Sequence, residues 1–203
     1  MIRSFLFDLG NVILLFSHEK MCQQVADVCG RPVELVRHVL FDSGLQRRFE
    51  TGQMSEAEFH RWFQEAVQSE VDFNKLRVAA SDIFELNEAM ASLLEQLKRS
   101  GYRLVLFSNT CVTHYEFVMQ KFPILSVFDA AVLSFEVGAA KPEPQMFERA
   151  LREIECDPEE CFYTDDIEAH IAAGRRLGLQ AEVFVDVPNL RRQLIARQVR
   201  LTE

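Results

Sequence analysis

The sequence predicts an α/β fold in which a parallel sheet, wrapped by helices, carries an inserted all-helical segment. Two observations predict it. After residue 87, short apolar runs alternate with helical patterns, and strands separated by helices form parallel sheets. Between the first apolar run and residue 87, the patterns are helical and none is a convincing strand. We therefore expect a core of residues 1–15 and 87–203 and a helical insertion of residues 16–86.

The first predicted strand covers residues 2–7. Its sequence, IRSFLF, is a short apolar run that Asp8 and Gly10 close, which is typical of a buried strand followed by a tight turn. The insertion then shows four helical patterns, and the third begins with a capping box from Ser55 to Glu58. These patterns predict helices over 19–30, 32–40, 56–66 and 74–85.

The second part of the core begins at Asn87. Asn87 caps a helix that Gly101 ends, and the strand RLVLF follows at 103–107. The alternation then continues along the chain. It predicts helices over 112–121, 143–155, 167–177 and 189–199, and strands over 130–134, 161–164 and 181–185. A five-stranded parallel sheet with the insertion after its first strand is the simplest assembly.

Composition and charge exclude several classes of protein. The 203 residues are 48% hydrophobic and 26% charged, which suits a chain with a packed core. Lys and Arg number 22 against 31 Asp and Glu, so the net charge of −9 repels phosphate backbones and anionic membranes. No apolar run approaches the roughly 20 residues of a membrane span. We therefore expect neither nucleic acid nor membrane as a partner.

The five cysteines are scattered, without a CxxC pair or a nearby histidine pair. We interpret them as reduced thiols of a cytoplasmic protein. The apolar start of the chain resembles a signal peptide only superficially, because Asp8 and Asn11 interrupt it and no small-residue cleavage site follows. The sequence leaves open whether the protein is a monomer or a homodimer.

Polar side chains follow four successive predicted strands. In open parallel sheets the carboxyl ends of the strands meet at one edge, where ligands bind. The residues at this edge are Asp8, Ser108, Asn109, Lys141, Asp165 and Asp166.

The chemistry of this set favours magnesium and phosphate. Three carboxylates at one edge repel each other unless they are protonated or bound to a cation, and oxygen ligands without His or Cys favour Mg²⁺. Lys141 adds a compact positive charge and Ser108 a hydroxyl donor for phosphate oxygens. Asp8 can then attack phosphorus and form an aspartyl phosphate that water hydrolyses.

Four motifs resemble those of the haloacid dehalogenase superfamily, in the same order and at similar spacing. They are FDLGNV (7–12), LFSNT (106–110), KPEP (141–144) and FYTDD (162–166). The resemblance covers essentially the whole chain and implies a Rossmann-like core with a helical cap of the family's first type. FDLGNV and the GQMSEAEF stretch (52–59) are similar to bacterial sugar-phosphate phosphatases and to the phosphatase domain of soluble epoxide hydrolase.

The resemblance also implies roles for the polar residues. It makes Asp8 the nucleophile, Ser108 and Lys141 phosphate-binding residues, and Asp166 a direct ligand of Mg²⁺. Asp165 is then a ligand either directly or through water, and the Gly10 carbonyl is a further ligand. Asn109 is a candidate for substrate binding or for shaping the junction of its loop with the cap. The resemblance therefore predicts a phosphatase that acts on a small phosphorylated metabolite.

The chain departs from the family pattern at Gly10. Phosphatases of the superfamily usually have a second aspartate there, which protonates the leaving oxygen and then activates water. Such a group contributes about 10²- to 10⁴-fold in rate. We hypothesise that the enzyme either favours esters that need little protonation, such as sugar 1-phosphates or acyl phosphates, or takes the proton from the cap or the substrate. His18 is one candidate for that donor, and an exposed hinge residue is its other interpretation.

Two parts of this interpretation have alternatives. In the cap, the stretch with Arg47, Arg48, Glu50 and Gln53 is either a loop that reads the substrate or a solvated helix surface. The protein as a whole can instead be a phosphate-binding or regulatory protein with an impaired site. A dehalogenase is disfavoured because that reaction needs no metal, and a phosphonate hydrolase because it needs a suitably placed cap lysine.

Overall fold

The computed structural model describes residues 1–202, which form seven strands. The strands are β1 (Ser4–Phe7), β2 (Leu14–Leu15), β3 (Glu85–Leu86), β4 (Arg103–Ser108), β5 (Ala130–Leu133), β6 (Cys161–Asp165) and β7 (Gln180–Val183). Five of them form a parallel sheet in the order β5-β4-β1-β6-β7. The predicted five-stranded parallel sheet is therefore confirmed.

Helices connect these strands and make up most of the insertion. They are α1 (His18–Cys29), α2 (Val33–Arg37), α3 (Leu45–Glu50), α4 (Glu56–Val67), α5 (Phe73–Ser81), α6 (Glu88–Arg99), α7 (Val112–Lys121), α8 (Ser134–Val137), α9 (Pro144–Glu153), α10 (Glu168–Arg176) and α11 (Val187–Ala196). A π-helical turn (His38–Asp42) follows α2. No helix within residues 1–202 combines the length and the apolar character that crossing a membrane requires.

β1 is the central strand, and all four of its residues are buried. Successive side chains of a strand point to opposite faces, so Phe5 and Phe7 pack into one apolar layer and Leu6 into the other. The sheet continues through β4 on one side of β1 and through β6 on the other. The strand order therefore reverses at β1, and the residue after it, Asp8, lies at the switch point where open sheets bind ligands.

The insertion differs from its prediction at its end. The helical pattern over 74–85 stops at Ser81, and Glu85 and Leu86 form β3, which pairs antiparallel with β2. The expectation of no strand in residues 16–86 is therefore wrong at this point, because a two-residue strand is too short to show alternation. The β2–β3 pair lies where the chain enters and leaves the insertion. The division at residues 15/16 and 86/87 stays a prediction.

The stretch from Arg47 to Gln53, for which the sequence left open either a loop or a helix surface, contains most of α3. Gly44, with φ +75°, precedes this helix and redirects the chain after the π-helical turn. Gly52, with φ +64°, follows it, and a Cβ there would lie 2.2 Å from the carbonyl oxygen of Phe135 in α8. Only glycine permits such a close approach. The end of α3 therefore rests directly on the core, beside the carboxyl edge of the sheet.

Candidate active site

The predicted polar residues converge on one cleft at the carboxyl edge of the sheet. The cleft has a volume of about 250 Å³, and its lining includes Asp8, Gly10, Asn109, Lys141 and Asp166. Ser108 lies in an adjoining recess of about 50 Å³ that shares Gly10 and Asn109 with the cleft. Asp165 lies fully buried beneath them. A larger depression of about 440 Å³ beside α9 contains none of these residues.

Lys141 joins the two buried carboxylates of the site. Its Nζ donates to Asp8 Oδ1 at 2.9 Å, to Asp165 Oδ2 at 2.6 Å and to the Phe107 carbonyl at 2.7 Å. Lys141 is only 3% exposed. Burial alone would lower its pKa, but Asp8 and Asp165 outweigh that effect and raise the pKa of Lys141 above its ordinary value. The ammonium therefore stays charged beside Asp8.

Asn109 positions the Lys141 backbone. Its Oδ1 accepts from the Lys141 N–H at 2.7 Å, and its Nδ2 donates to the Lys141 carbonyl at 3.1 Å. Both ends of the Asn109 amide are therefore engaged, which favours its role in shaping the loop. Its neighbour Ser108 makes only a long hydrogen bond, from Oγ to the Asn109 carbonyl at 3.4 Å. Its hydroxyl therefore remains suited to donating to a phosphate oxygen.

Asp165 has a full set of partners inside the protein. Oδ2 accepts from Tyr163 Oη at 2.6 Å as well as from Lys141. Oδ1 accepts from the Ile167 N–H at 2.9 Å and lies 2.9 Å from His170 Nδ1. Burial would raise the pKa of Asp165, but Lys141 and His170 bring it below its ordinary value. With about four lone-pair sites occupied, Asp165 is better placed to hold Lys141 than to bind a cation directly.

The cluster of carboxylates around Asp8 fits a magnesium ion, which Asp165 would reach through water. One oxygen from each of Asp8, Asp165 and Asp166 lies within 4.8 Å of the others. Asp8 Oδ1 is taken by Lys141 and by the Leu9 N–H, whereas Oδ2 has no hydrogen-bond partner within residues 1–202. Burial raises the pKa of Asp8 to about 6 despite Lys141, and Asp165 adds to the increase. A hard divalent cation would relieve this repulsion, so the oxygen-only donor set suits Mg²⁺.

The family model for haloacid dehalogenase-like hydrolases matches residues 2–178 of this chain. The chain belongs to this family. The predicted family and its Rossmann-like fold are thus confirmed.

Relatives of this haloacid dehalogenase-like protein include a phosphatase. A D-ribitol-5-phosphate phosphatase of Bacteroides thetaiotaomicron is 24% identical over 188 residues, covering 89% of this chain and 90% of its own. A solved family enzyme from the same organism, in complex with magnesium and inorganic phosphate, is 25% identical and has a TM-score of 0.84. The match covers 94% of this chain and 99% of that one. A predicted family hydrolase from Porphyromonas gingivalis is 26% identical with a TM-score of 0.82 and full coverage of both chains.

In this family member, the position of the usual second aspartate is filled by an aromatic ring. A Cβ on Gly10 would lie 2.6 Å from Cε1 of Phe16. The Phe16 ring packs against His18 at 5.0 Å and Phe84 at 5.8 Å between ring centroids. Because the ring is held on these sides, a side chain at position 10 could be accommodated only after Phe16 moves.

Sequence reasoning assigned no catalytic role to two ionisable side chains of the cleft, those of His170 and Glu50. This last residue of α3 lines both the cleft and the recess, as does His18. Glu50 lies two residues before Gly52, whose close packing on α8 holds the end of α3 against the core. That packing is a tertiary feature with no local sequence pattern.

Proposed function

We propose that this protein is a magnesium-dependent phosphatase that hydrolyses a small phosphate monoester through an aspartyl phosphate on Asp8. The observation that carries the proposal is the convergence of Asp8, Lys141 and Asp166 on one cleft, with the Asp8 carboxylate against a buried ammonium group. Relatives named as phosphatases of ribitol 5-phosphate and glyceraldehyde 3-phosphate support it.

The first step is attack by an Asp8 carboxylate oxygen on phosphorus, and the bond from phosphorus to the ester oxygen breaks. Ser108 donates a hydrogen bond to the phosphate, and Lys141 holds Asp8 in place and balances the negative charge. Asp8, Asp166 and the Gly10 carbonyl would hold Mg²⁺, with Asp165 acting through water because its oxygens already have partners in the protein. When bound, the ion neutralises phosphate oxygens and orients the substrate. Water then attacks the aspartyl phosphate, which releases inorganic phosphate and restores Asp8.

The size and lining of the cleft favour a compact substrate. A volume of about 250 Å³ suits a compact molecule. Polar groups surround the phosphate site, whereas Phe16 and Ile167 add apolar surface at the cleft. We propose a small phosphorylated metabolite, with sugar 1-phosphates among the first candidates. The five cysteines are free thiols, which supports a reducing, cytoplasmic location.

A panel of phosphate esters tests this function. Sugar 1-phosphates, sugar 6-phosphates, polyol phosphates and p-nitrophenyl phosphate are assayed with Mg²⁺ and with EDTA. We expect Mg²⁺-dependent release of phosphate by the wild type and none by Asp8→Asn. Absence of turnover on the whole panel would contradict the proposal.

The filled position at Gly10 favours one second candidate, a phosphate-binding protein without turnover. Its signature differs from that of the enzyme. Beryllium fluoride with Mg²⁺ would raise the Tm of the wild type, while no ester is hydrolysed. Turnover of any ester in the panel excludes this candidate.

A further inference from the structure

The site as described lacks a proton donor for the leaving oxygen. The three N–H bonds of Lys141 are engaged within the protein, and position 10 has no side chain and no room for one. His170 also lines the cleft, and its Nδ1 is bonded to Asp165, which in turn holds Lys141. Besides His170, the wall that the cap forms is the remaining source of a donor.

The cap supplies two ionisable side chains to that wall, Glu50 and His18. Both line the cleft and the recess, and so does Gly10. Glu50 and His18 thus face the same space as the missing aspartate would. Their chemistry separates them, because a leaving oxygen needs a group that carries a transferable proton.

Glu50 is held toward the loop that follows β4. The Ser134 hydroxyl donates to the Glu50 carbonyl at 2.6 Å and accepts from the Thr110 N–H at 2.8 Å. This hydroxyl therefore links the end of α3 to the loop of Ser108 and Asn109. The position of Glu50 relative to the phosphate-binding loop is thereby set by two short contacts.

The Glu50 carboxyl group is also oriented. Gln46, which is 6% exposed, donates from Nε2 to Glu50 Oε1 at 2.9 Å. The other oxygen, Oε2, has no hydrogen-bond partner within residues 1–202. One oxygen is thus anchored, and the other is available to a substrate.

The protonation states of the two candidates differ. Burial raises the pKa of Glu50, although Gln46 and Arg47 act against it, so the carboxyl group retains a proton to higher pH than an exposed glutamate. Burial of part of its ring lowers the pKa of His18, and Arg37 adds to this effect, so its imidazole loses its proton more readily than that of an exposed histidine. The other titratable and charged groups around this space are Asp8, Cys111, His114, Lys141, Asp166 and His170.

We propose that Glu50 of the cap is the general acid and base of this enzyme, in place of the missing aspartate. The role rests on the proposed function. As Asp8 attacks phosphorus, the ester oxygen leaves with its bonding electron pair and takes the proton of Glu50. The resulting carboxylate accepts a proton from water as that water attacks the aspartyl phosphate. Each cycle returns Glu50 to its protonated form and needs no further reactant.

Two esters with different leaving groups test this role. Glu50→Gln keeps the size of the side chain but cannot exchange the proton. Turnover of an alkyl phosphate should fall by about 10²- to 10⁴-fold. p-Nitrophenolate leaves without protonation, so the first turnover of its phosphate should stay close to the wild-type rate. Because the second step still needs a base, a burst of nitrophenol equal to the enzyme concentration should precede a slow phase. Glu65→Gln, an exposed position on α4, is the matched control.

The outcomes are distinct. Equal losses on both esters without a burst, or no loss at all, would overturn the role of Glu50. The same holds if His18→Gln shows the leaving-group dependence and the burst while Glu50→Gln does not. A wild type that hydrolyses neither ester would instead overturn the proposed function, and the role of Glu50 with it.

Discussion

Removal of the Lys141 ammonium should leave an uncompensated charge in the protein. In Lys141→Met, a side chain of similar length replaces one that is 3% exposed and bonded to two carboxylates. Removing one partner of a buried ion pair costs about 3 to 5 kcal/mol of the free energy of unfolding. Asp165 keeps Tyr163, Ile167 and His170 as partners. We therefore expect the free energy of unfolding to fall by about 3 kcal/mol, the lower end of this range. The main cause is the Asp8 carboxylate, which loses its ammonium partner.

The loss should depend on pH with a defined sign. The pKa of Asp8 is already raised to about 6 with Lys141 in place, and removing the ammonium raises it further. A carboxyl group whose pKa is higher in the folded state destabilises the fold when it is ionised. The deficit of Lys141→Met should thus be largest at pH 8 and shrink as the pH falls toward 5 and below.

Urea unfolding in EDTA, followed by circular dichroism at pH 8 and pH 5, measures this deficit. The exposed Lys75→Met is the control for loss of a lysine. The double variant Lys141→Met/Asp8→Asn removes the unpaired charge as well and should recover most of the stability at pH 8. If Lys141→Met costs as much in the Asp8→Asn background as in the wild type, the loss comes from packing and the electrostatic reasoning is refuted.

Three further predictions concern other parts of the site. His114 is buried, and burial lowers its pKa from 6.5 to about 4. The free energy of unfolding that neutral His114 contributes is therefore fully present above pH 6.5, and about 3 kcal/mol of it should be lost as the pH falls to 4. In urea unfolding, the midpoint of His114→Gln should vary less with pH than that of the wild type. Gly10→Asp should lower the free energy of unfolding by about 1 to 3 kcal/mol, because the new side chain would overlap the Phe16 ring. In thermal unfolding, the double variant Gly10→Asp/Phe16→Ala should recover part of this loss. Asp166→Asn should raise the Mg²⁺ concentration for half-maximal activity at least ~10-fold; an unchanged Mg²⁺ titration would remove Asp166 from the ligands.

The sheet was predictable because its strands carry strong local patterns. The run from Phe5 to Phe7 is apolar on both faces, as a central parallel strand requires, and Leu104 to Phe107 of β4 repeat this pattern. The convergence of polar residues then follows from the rule that parallel strands present their carboxyl ends at one edge. β3 escaped prediction because two residues carry no periodicity.

The finer arrangement of the site depends on contacts that no local pattern encodes. Lys141 was predicted to bind phosphate, but the engagement of all its N–H bonds depends on Asp8, Phe107 and Asp165, which are distant in sequence. The filling of position 10 likewise depends on how Phe16 turns back onto the loop. The placement of Glu50 depends on the approach of Gly52 to the core. The sequence alone therefore could not decide whether Glu50 lies in a loop that contacts the substrate or on a solvated helix surface.

Mass analysis of the Asp8 peptide after acid quenching tests the proposed chemistry most directly. The protein is mixed with p-nitrophenyl phosphate and Mg²⁺, quenched within the first turnover, digested and compared with Asp8→Asn treated in the same way. We expect one phosphoryl group on Asp8 of the wild type, more of it in Glu50→Gln, and none in Asp8→Asn or in EDTA. Turnover of the ester with no phosphoryl group on Asp8 in either the wild type or Glu50→Gln would contradict nucleophilic attack by this residue.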